Sequence, residues 1–327
     1  MAASPFPEFT AAELAEARRM NRALMWSPRF RAPGPRRKLL IQSSLFAMQV
    51  LAPHGVAGVR TMIRRIEWKG YAVSLRILRT DAPARGVYID YHGGGWAIGN
   101  AAMDDRVNAR IAAECGLVVV SVDYTLLPNI KLPQMIEQCA AAADWVFEHA
   151  QTEFGASNMF VGGESAGAHL AACSVLRLKA SRKDFSRLRG VVLFYGCFDL
   201  SGTPSARNAE RNALVLHGPS IPDGLSRLVP GGSAERQHPD VSPVYADLSG
   251  LPPALLLVGR LDPLIDDSRL MAEQWKAQSG NAQLAIIDEA PHAFNRLPTR
   301  VAARTNAFVR QWIDVRLAAV AVKTAAE

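Results

Sequence analysis

Apolar residues in this chain come in two arrangements that alternate. Short unbroken runs occupy residues 87–91, 118–124, 159–161, 191–195 and 254–258, and a last one spans 284–288. Rich in Val, Leu and Ile, such runs suit strands buried on both faces of a parallel sheet. Between them the pattern turns helical, at residues 103–114, 135–149, 166–178 and 267–278. Strands alternating with helices predict an α/β sheet with right-handed crossovers. Residues 60–69 and 71–79 read as two further strands around Gly70.

The ends of this pattern are less regular. Thr10-Ala-Ala-Glu13 has capping-box spacing, so a helix is expected from near Ala11. Pro33, Gly34 and Pro35 separate it from residues 39–59, which contain no Lys, Arg, Asp or Glu. That stretch follows Arg36, Arg37 and Lys38, but Gln42, Ser43, Ser44, Gln49, Pro53 and His54 make it too polar to span a bilayer. Ile41, Leu45 and Met48 fall at i, i+4 and i+7, which predicts an amphipathic helix on the protein's own apolar surface. Residues 201–241 are rich in Pro, Gly and Ser and read as an insertion over one end of the sheet, with a short helix at 206–216.

Composition narrows this picture. With 327 residues, 49% hydrophobic and 20% charged, the chain is long enough for a large core and is neither disordered nor collagen-like. Four dispersed cysteines with no C-x-x-C pair argue against a disulfide scaffold or a cysteine zinc site. The net charge of +7 is local: residues 1–70 hold twelve Lys/Arg and four acids, while the rest holds 25 and 26. The body is therefore neutral and the basic segment reads as a solvated face, with no nucleic-acid partner expected. The first 30 residues carry Glu8, Glu13 and Glu16 and no continuous apolar core, so no secretory signal is expected. The protein is read as soluble and cytoplasmic, without stable membrane insertion.

Chemistry concentrates at the ends of the strand-like runs. Gly163-Glu164-Ser165-Ala166-Gly167 follows the run at 159–161 and opens a helical stretch. The bare G-x-S-x-G pattern arises by chance about once in ten such chains, but a strand–turn–helix setting exposes the serine as a nucleophile. His92-Gly93-Gly94-Gly95-Trp96 follows the run at 87–91. Three successive glycines leave backbone N–H groups unshielded, as an oxyanion hole requires. No phosphate-binding G-x-x-x-x-G-K or G-x-G-x-x-G accompanies them. His92 precedes the serine on this loop and reads as an anchor for it rather than as the base.

A serine nucleophile needs a base and an acid that orients it. Asp262 leaves the end of the run at 254–258, and His292 follows the run at 284–288. The order Ser165, Asp262, His292 is that of the α/β-hydrolases. Asp266 and Asp267 are rival acids, but they fall at a helix start. His149 and His169 lie within helices, and His54, His217 and His238 follow no core strand.

With these motifs in order, the chain resembles the hormone-sensitive-lipase-like group of α/β-hydrolase carboxylesterases over roughly residues 60–315. The resemblance is carried by HGGGW at 92–96, GESAG at 163–167, LDPLID at 261–266 and PHAF at 291–294. It implies an α/β-hydrolase fold: a mostly parallel central sheet flanked by helices, with a helical cap. Residues 1–60 would form the N-terminal cap helices, and 61–327 the catalytic domain with its cap insertion at about 201–241. It also implies that Gly94, Gly95 and Ala166 supply the oxyanion N–H groups, with His92, Gly93 and Trp96 supporting the loop.

Three departures from the group stand out. Asp123-Tyr-Thr125-Leu-Leu-Pro128-Asn129 lacks an Arg and a Glu often found there, Ala293 follows the histidine, and Glu289 replaces a common glycine. The expected activity is hydrolysis of short- to medium-chain carboxylic esters through an acyl-enzyme, with no metal or cofactor. A lactone hydrolase on the same triad is the alternative, an arylformamide hydrolase a lesser one, and a non-catalytic small-molecule receptor the alternative outside enzymes. The partner is thus a small ester or lactone, and a homodimer stays open.

Overall fold

The computed structural model describes residues 6, 8–31, 34–51 and 55–326. In chain order its helices are α1 (Ala11–Leu24), α2 (Pro35–Leu51), α3 (Asp105–Cys115), α4 (Leu132–Phe154), α5 (Ala166–Ser181), α6 (Pro204–Arg207), α7 (Ile221–Leu228), α8 (Ser233–Arg236), α9 (Ile265–Ser279) and α10 (Arg300–Ala326). The strands are β1 (Arg60–Trp68), β2 (Tyr71–Arg79), β3 (Gly86–Tyr91), β4 (Leu117–Asp123), β5 (Met159–Glu164), β6 (Leu188–Phe194), β7 (Ala254–Gly259) and β8 (Ala282–Ile287). Every expected strand is present within a few residues of its predicted bounds. β3, β5 and β7 are buried along their whole length, which is why they read as unbroken apolar runs rather than alternating ones.

The chain divides into two compact units. One takes the described residues of 33–192 and 312–327. Its strands are hydrogen-bonded in the order β1-β2-β4-β3-β5-β6. β1 and β2 form an antiparallel hairpin whose turn, Lys69-Gly70, has φ of 50° and 79°. Two positive φ values in a two-residue loop match the twist of the flanking strands. β2 is also antiparallel to β4, whereas β3 is parallel to both β4 and β5. Tyr91 is in register with Gly163, so the chain leaves β3 and β5 side by side and at the same end.

The other unit takes the described residues of 1–32 and 193–311. Here β7 and β8 are parallel, and Gly259 is in register with Ile287. The loops that follow these strands therefore also emerge as neighbours.

Two expectations need correction. Residues 206–216 are not a helix; the helical turn α6 ends at Arg207. Residues 215–217 are instead tied to Phe30, whose N–H donates to the Val215 carbonyl while its own carbonyl accepts from the His217 N–H. An extended pairing satisfies the backbone that a helix would otherwise have had to satisfy.

α2 forms where the amphipathic helix was expected, but it docks through polar groups. Gln42 exchanges hydrogen bonds with both backbone groups of Gly99, and Gln49 exchanges two with the Asn100 amide. Ile41 and Leu45 are only half-buried, while Leu39, Leu40 and Phe46 are exposed. The Met48 side chain and His54 lie outside the described residues. Among the described residues, no helix is long and apolar enough to cross a membrane.

Candidate active site

In the unit of residues 33–192, Ser165 sits at the junction of β5 and α5 with φ 54° and ψ −118°. A non-glycine residue seldom takes this conformation, so its surroundings must impose it. The flanking glycines explain how the turn closes. A Cβ on Gly167 would lie 1.9 Å from the Tyr91 carbonyl oxygen, and one on Gly163 would lie 2.5 Å from that of Gly167. Ala166 is the first residue of α5, where N–H groups have no partner within the helix and the dipole favours negative charge.

Gly167→Ala is accordingly expected to destabilise the protein by about 3 kcal/mol or more. Gly155→Ala, at a positive φ (68°) but with nothing within 4 Å of the added carbon, should cost only about 1 kcal/mol. Urea unfolding of the two variants would show the gap, and equal midpoints would refute the close-approach account.

The glycine loop lies against this serine. A Cβ on Gly93 would stand 3.1 Å from the Glu164 carbonyl oxygen and 3.6 Å from Ser165 Cβ. Gly94 has φ 122°, and a Cβ there would sit 2.1 Å from the Ile98 carbonyl oxygen. Gly95 and Trp96 are both at φ 58°. The loop is pinned at each end. The buried His92 ring stacks on Tyr124 with centroids 4.2 Å apart, and Tyr124 Oη donates to the His92 carbonyl at 2.7 Å. Trp96 Nε1 donates to Nδ1 of the buried His169 at 3.3 Å, edge-on to its ring. His169 stands one turn into α5, and its N–H donates to the Ser165 carbonyl. The helical position of His169 was legible in the sequence, but its partnership with Trp96 was not.

In the other unit, His292 Nδ1 lies 2.8 Å from Asp262 Oδ2, with both side chains almost wholly buried. The second Asp262 oxygen accepts the Leu264 N–H at 2.9 Å. The two loops are stitched together, since the Leu261 N–H donates to the Ala290 carbonyl and the Arg260 N–H to that of Ile287. Gly259 allows this, because a Cβ there would stand 2.0 Å from the Ala290 carbonyl oxygen. The Tyr195 ring lies against His292 with centroids 4.7 Å apart, and its hydroxyl donates to Asn295 Oδ1. Sequence reading missed Tyr195; its only signal was its place just past a core strand.

The rival acids are engaged elsewhere. Asp266 accepts from the Ser205 N–H and pairs with Arg269. Asp267 accepts from the N–H groups of Phe198 and Asp199 and from the Thr203 hydroxyl. Among the other described histidines, His149 bonds the Trp145 carbonyl, and the exposed His238 accepts the Asp240 N–H at Nδ1. All four cysteines are buried, and burial pushes the Cys139 and Cys197 thiols well above their ordinary range.

Asp267 also makes a pH prediction. Burial raises its carboxyl to about 7, against an ordinary 3.8. The folded state then holds a proton that the unfolded state has released between about pH 4 and 7. Stability should therefore fall as pH rises through that window, by up to about 1.4 kcal/mol per pH unit from this group. Asp267→Asn keeps an oxygen for the two N–H donors and should flatten the slope of the melting temperature between pH 5 and 7. An unchanged slope would contradict this assignment.

Residues 88–296 match the family described as the alpha/beta hydrolase fold. Solved structures agree along nearly the whole chain. A hyperthermophilic esterase from the archaeon Pyrobaculum calidifontis is 26% identical, covering 91% of this chain and 96% of its own, with a TM-score of 0.79. A thermostable carboxylesterase cloned from a metagenomic library is 26% identical, over 88% of this chain and 97% of its own, with a TM-score of 0.72. A hormone-sensitive lipase from a metagenome library is 25% identical, over 92% and 98%, with a TM-score of 0.77. With the strained serine turn, the glycine loop and the buried Asp–His pair in place, the chain belongs to the α/β-hydrolase family, on its hormone-sensitive-lipase-like branch.

Proposed function

We propose that the protein is a serine carboxylesterase acting on short- to medium-chain carboxylic esters. The observation that carries this reading is Ser165, held at φ 54° at the start of α5 beside the glycine loop. Backbone strain of this kind clusters at reactive sites, which supports a nucleophilic role for its hydroxyl.

In the proposed reaction, Ser165 Oγ attacks the ester carbonyl carbon and gives its proton to His292 Nε2. The carbonyl π pair moves onto oxygen, where the N–H groups of Gly94, Gly95 and Ala166 stabilise it. His92, Gly93 and Trp96 keep that loop in shape. Asp262 holds the imidazole in the tautomer that leaves Nε2 free to accept, and stabilises the imidazolium. The C–O bond to the alcohol then breaks, and the alcohol leaves with the proton from His292. Water adds to the acyl-enzyme with His292 again as base, and Ser165 departs protonated from the free acid.

We further propose that residues 1–60 and the 201–241 insertion form the lid that shapes the acyl pocket. A panel of p-nitrophenyl esters from two to sixteen carbons, with γ- and δ-lactones beside them, tests the reading. Turnover should be highest on the short and medium esters. A protein that cleaves only lactones would replace the substrate assignment while keeping the triad, and one that cleaves none would overturn the reading.

A further inference from the structure

The residue before the His292 loop and the residue after the histidine both have unusual backbone conformations. Glu289 has φ 57° and Ala293 has φ 58°. Residues with a Cβ seldom adopt this region, and contacts from outside the turn can hold them there. For Glu289 the holding groups come from α1. Arg18 Nε donates to Glu289 Oε1 at 2.8 Å, and Asn21 Nδ2 donates to the Glu289 carbonyl oxygen, also at 2.8 Å. Side chain and main chain of the strained residue are thus gripped separately by one helix.

α1 is suited to this task because it is itself fixed in place. Its inward seam is Glu13, Ala17 and Asn21, spaced i, i+4 and i+8 and all buried. Thr10 and Glu13 close a capping box at its start. Glu13 pairs with Arg304 and Glu16 with Arg300, both on α10. A helix needing only to cover apolar surface would carry leucines on that seam. Here the seam is polar at both ends, and Asn21 Oδ1 is buried without a partner among the described residues.

We propose that α1, through Arg18 and Asn21, is a positioning device for His292: it holds the strained Glu289 turn and so aims the imidazole three residues later. The proposal rests on His292 being the base. It gives the N-terminal helix a role in the chemical step besides any role as part of a lid, and it accounts for a glutamate where a glycine would relax the turn.

Substitutions in the whole 327-residue chain test this. Arg18→Ala with Asn21→Ala should lower kcat about tenfold, the scale of a slightly misaimed catalytic group, with KM changed less than about twofold. Adding Glu289→Gly to that pair should restore kcat to within about threefold of wild type, because glycine adopts φ 57° unaided. If α1 only supported the fold, a glycine at 289 would not recover activity, so failure of this rescue overturns the proposal. An unchanged kcat in the double variant also overturns it. Should the double variant fail to fold, Arg18→Ala alone, which cuts a half-exposed ion pair, carries the same comparison with and without Glu289→Gly. His292→Ala is measured alongside. If it keeps full activity, the reading of His292 fails; if it is inactive while the latch variants match wild type, only the latch fails.

Discussion

Ser165→Ala is expected to lose at least about 10³-fold in kcat toward a short-chain p-nitrophenyl ester, while folding as the parent does. The hydroxyl is the atom that would form the acyl bond. Cys173, one turn beyond His169 on the same helix, is buried and faces the His169 imidazole with its sulfur 3.7 Å from Nε2. Removing the oxygen should leave the turn intact, since Gly163 and Gly167 close it through backbone approach rather than through the serine side chain. The small residual rate would reflect binding and the oxyanion donors alone. Steady-state kinetics on purified protein, with circular dichroism to check the fold, measures this. Activity within tenfold of wild type would remove Ser165 from the mechanism.

Asp262→Asn should be at least as damaging, with a loss of about 10⁴-fold in kcat and little change in stability. The amide has the size of the carboxylate, and its oxygen can still accept the Leu264 N–H. Its nitrogen would then face His292 Nδ1 as a donor. That selects the imidazole tautomer with its proton on Nε2, which cannot take a proton from a serine. The same substitution at Asp266 should leave kcat nearly unchanged, since that carboxylate serves Ser205 and Arg269. A reversal of these two results would move the acid role to the helix start.

What the sequence made legible follows from where its physics is local. β3, β5 and β7 announced themselves because strands buried on both faces must be apolar at every position. The glycine loop and the serine turn stood out because an added Cβ would lie within 3 Å of neighbouring backbone, a demand written directly as Gly94, Gly163 and Gly167. Asp262 and His292 stand out by their places just beyond strand ends, and register of β7 with β8 makes those places neighbours.

Long-range polar pairing was not legible. Nothing near Glu289 in the chain points to Arg18 or Asn21, and nothing near Gly99 points to Gln42. The 206–216 segment read as a helix because the partner that draws it into an extended pairing is Phe30, far away in sequence. α10 is the opposite case: its first part buries Val301, Thr305, Val309, Trp312 and Ile313 at helical spacing, a local pattern that the sequence itself carries.

The central claim is that Ser165 is a nucleophile activated by His292. Diethyl p-nitrophenyl phosphate tests it most directly, because the serine oxygen displaces nitrophenolate and keeps a stable diethylphosphoryl group. The account predicts one equivalent of nitrophenolate released per chain, one added group by mass spectrometry, and that group on the peptide containing Ser165. Labelling should be lost in Ser165→Ala and slowed by orders of magnitude in His292→Ala. An enzyme that hydrolyses esters yet takes no label at Ser165, or is labelled equally fast without His292, would contradict it.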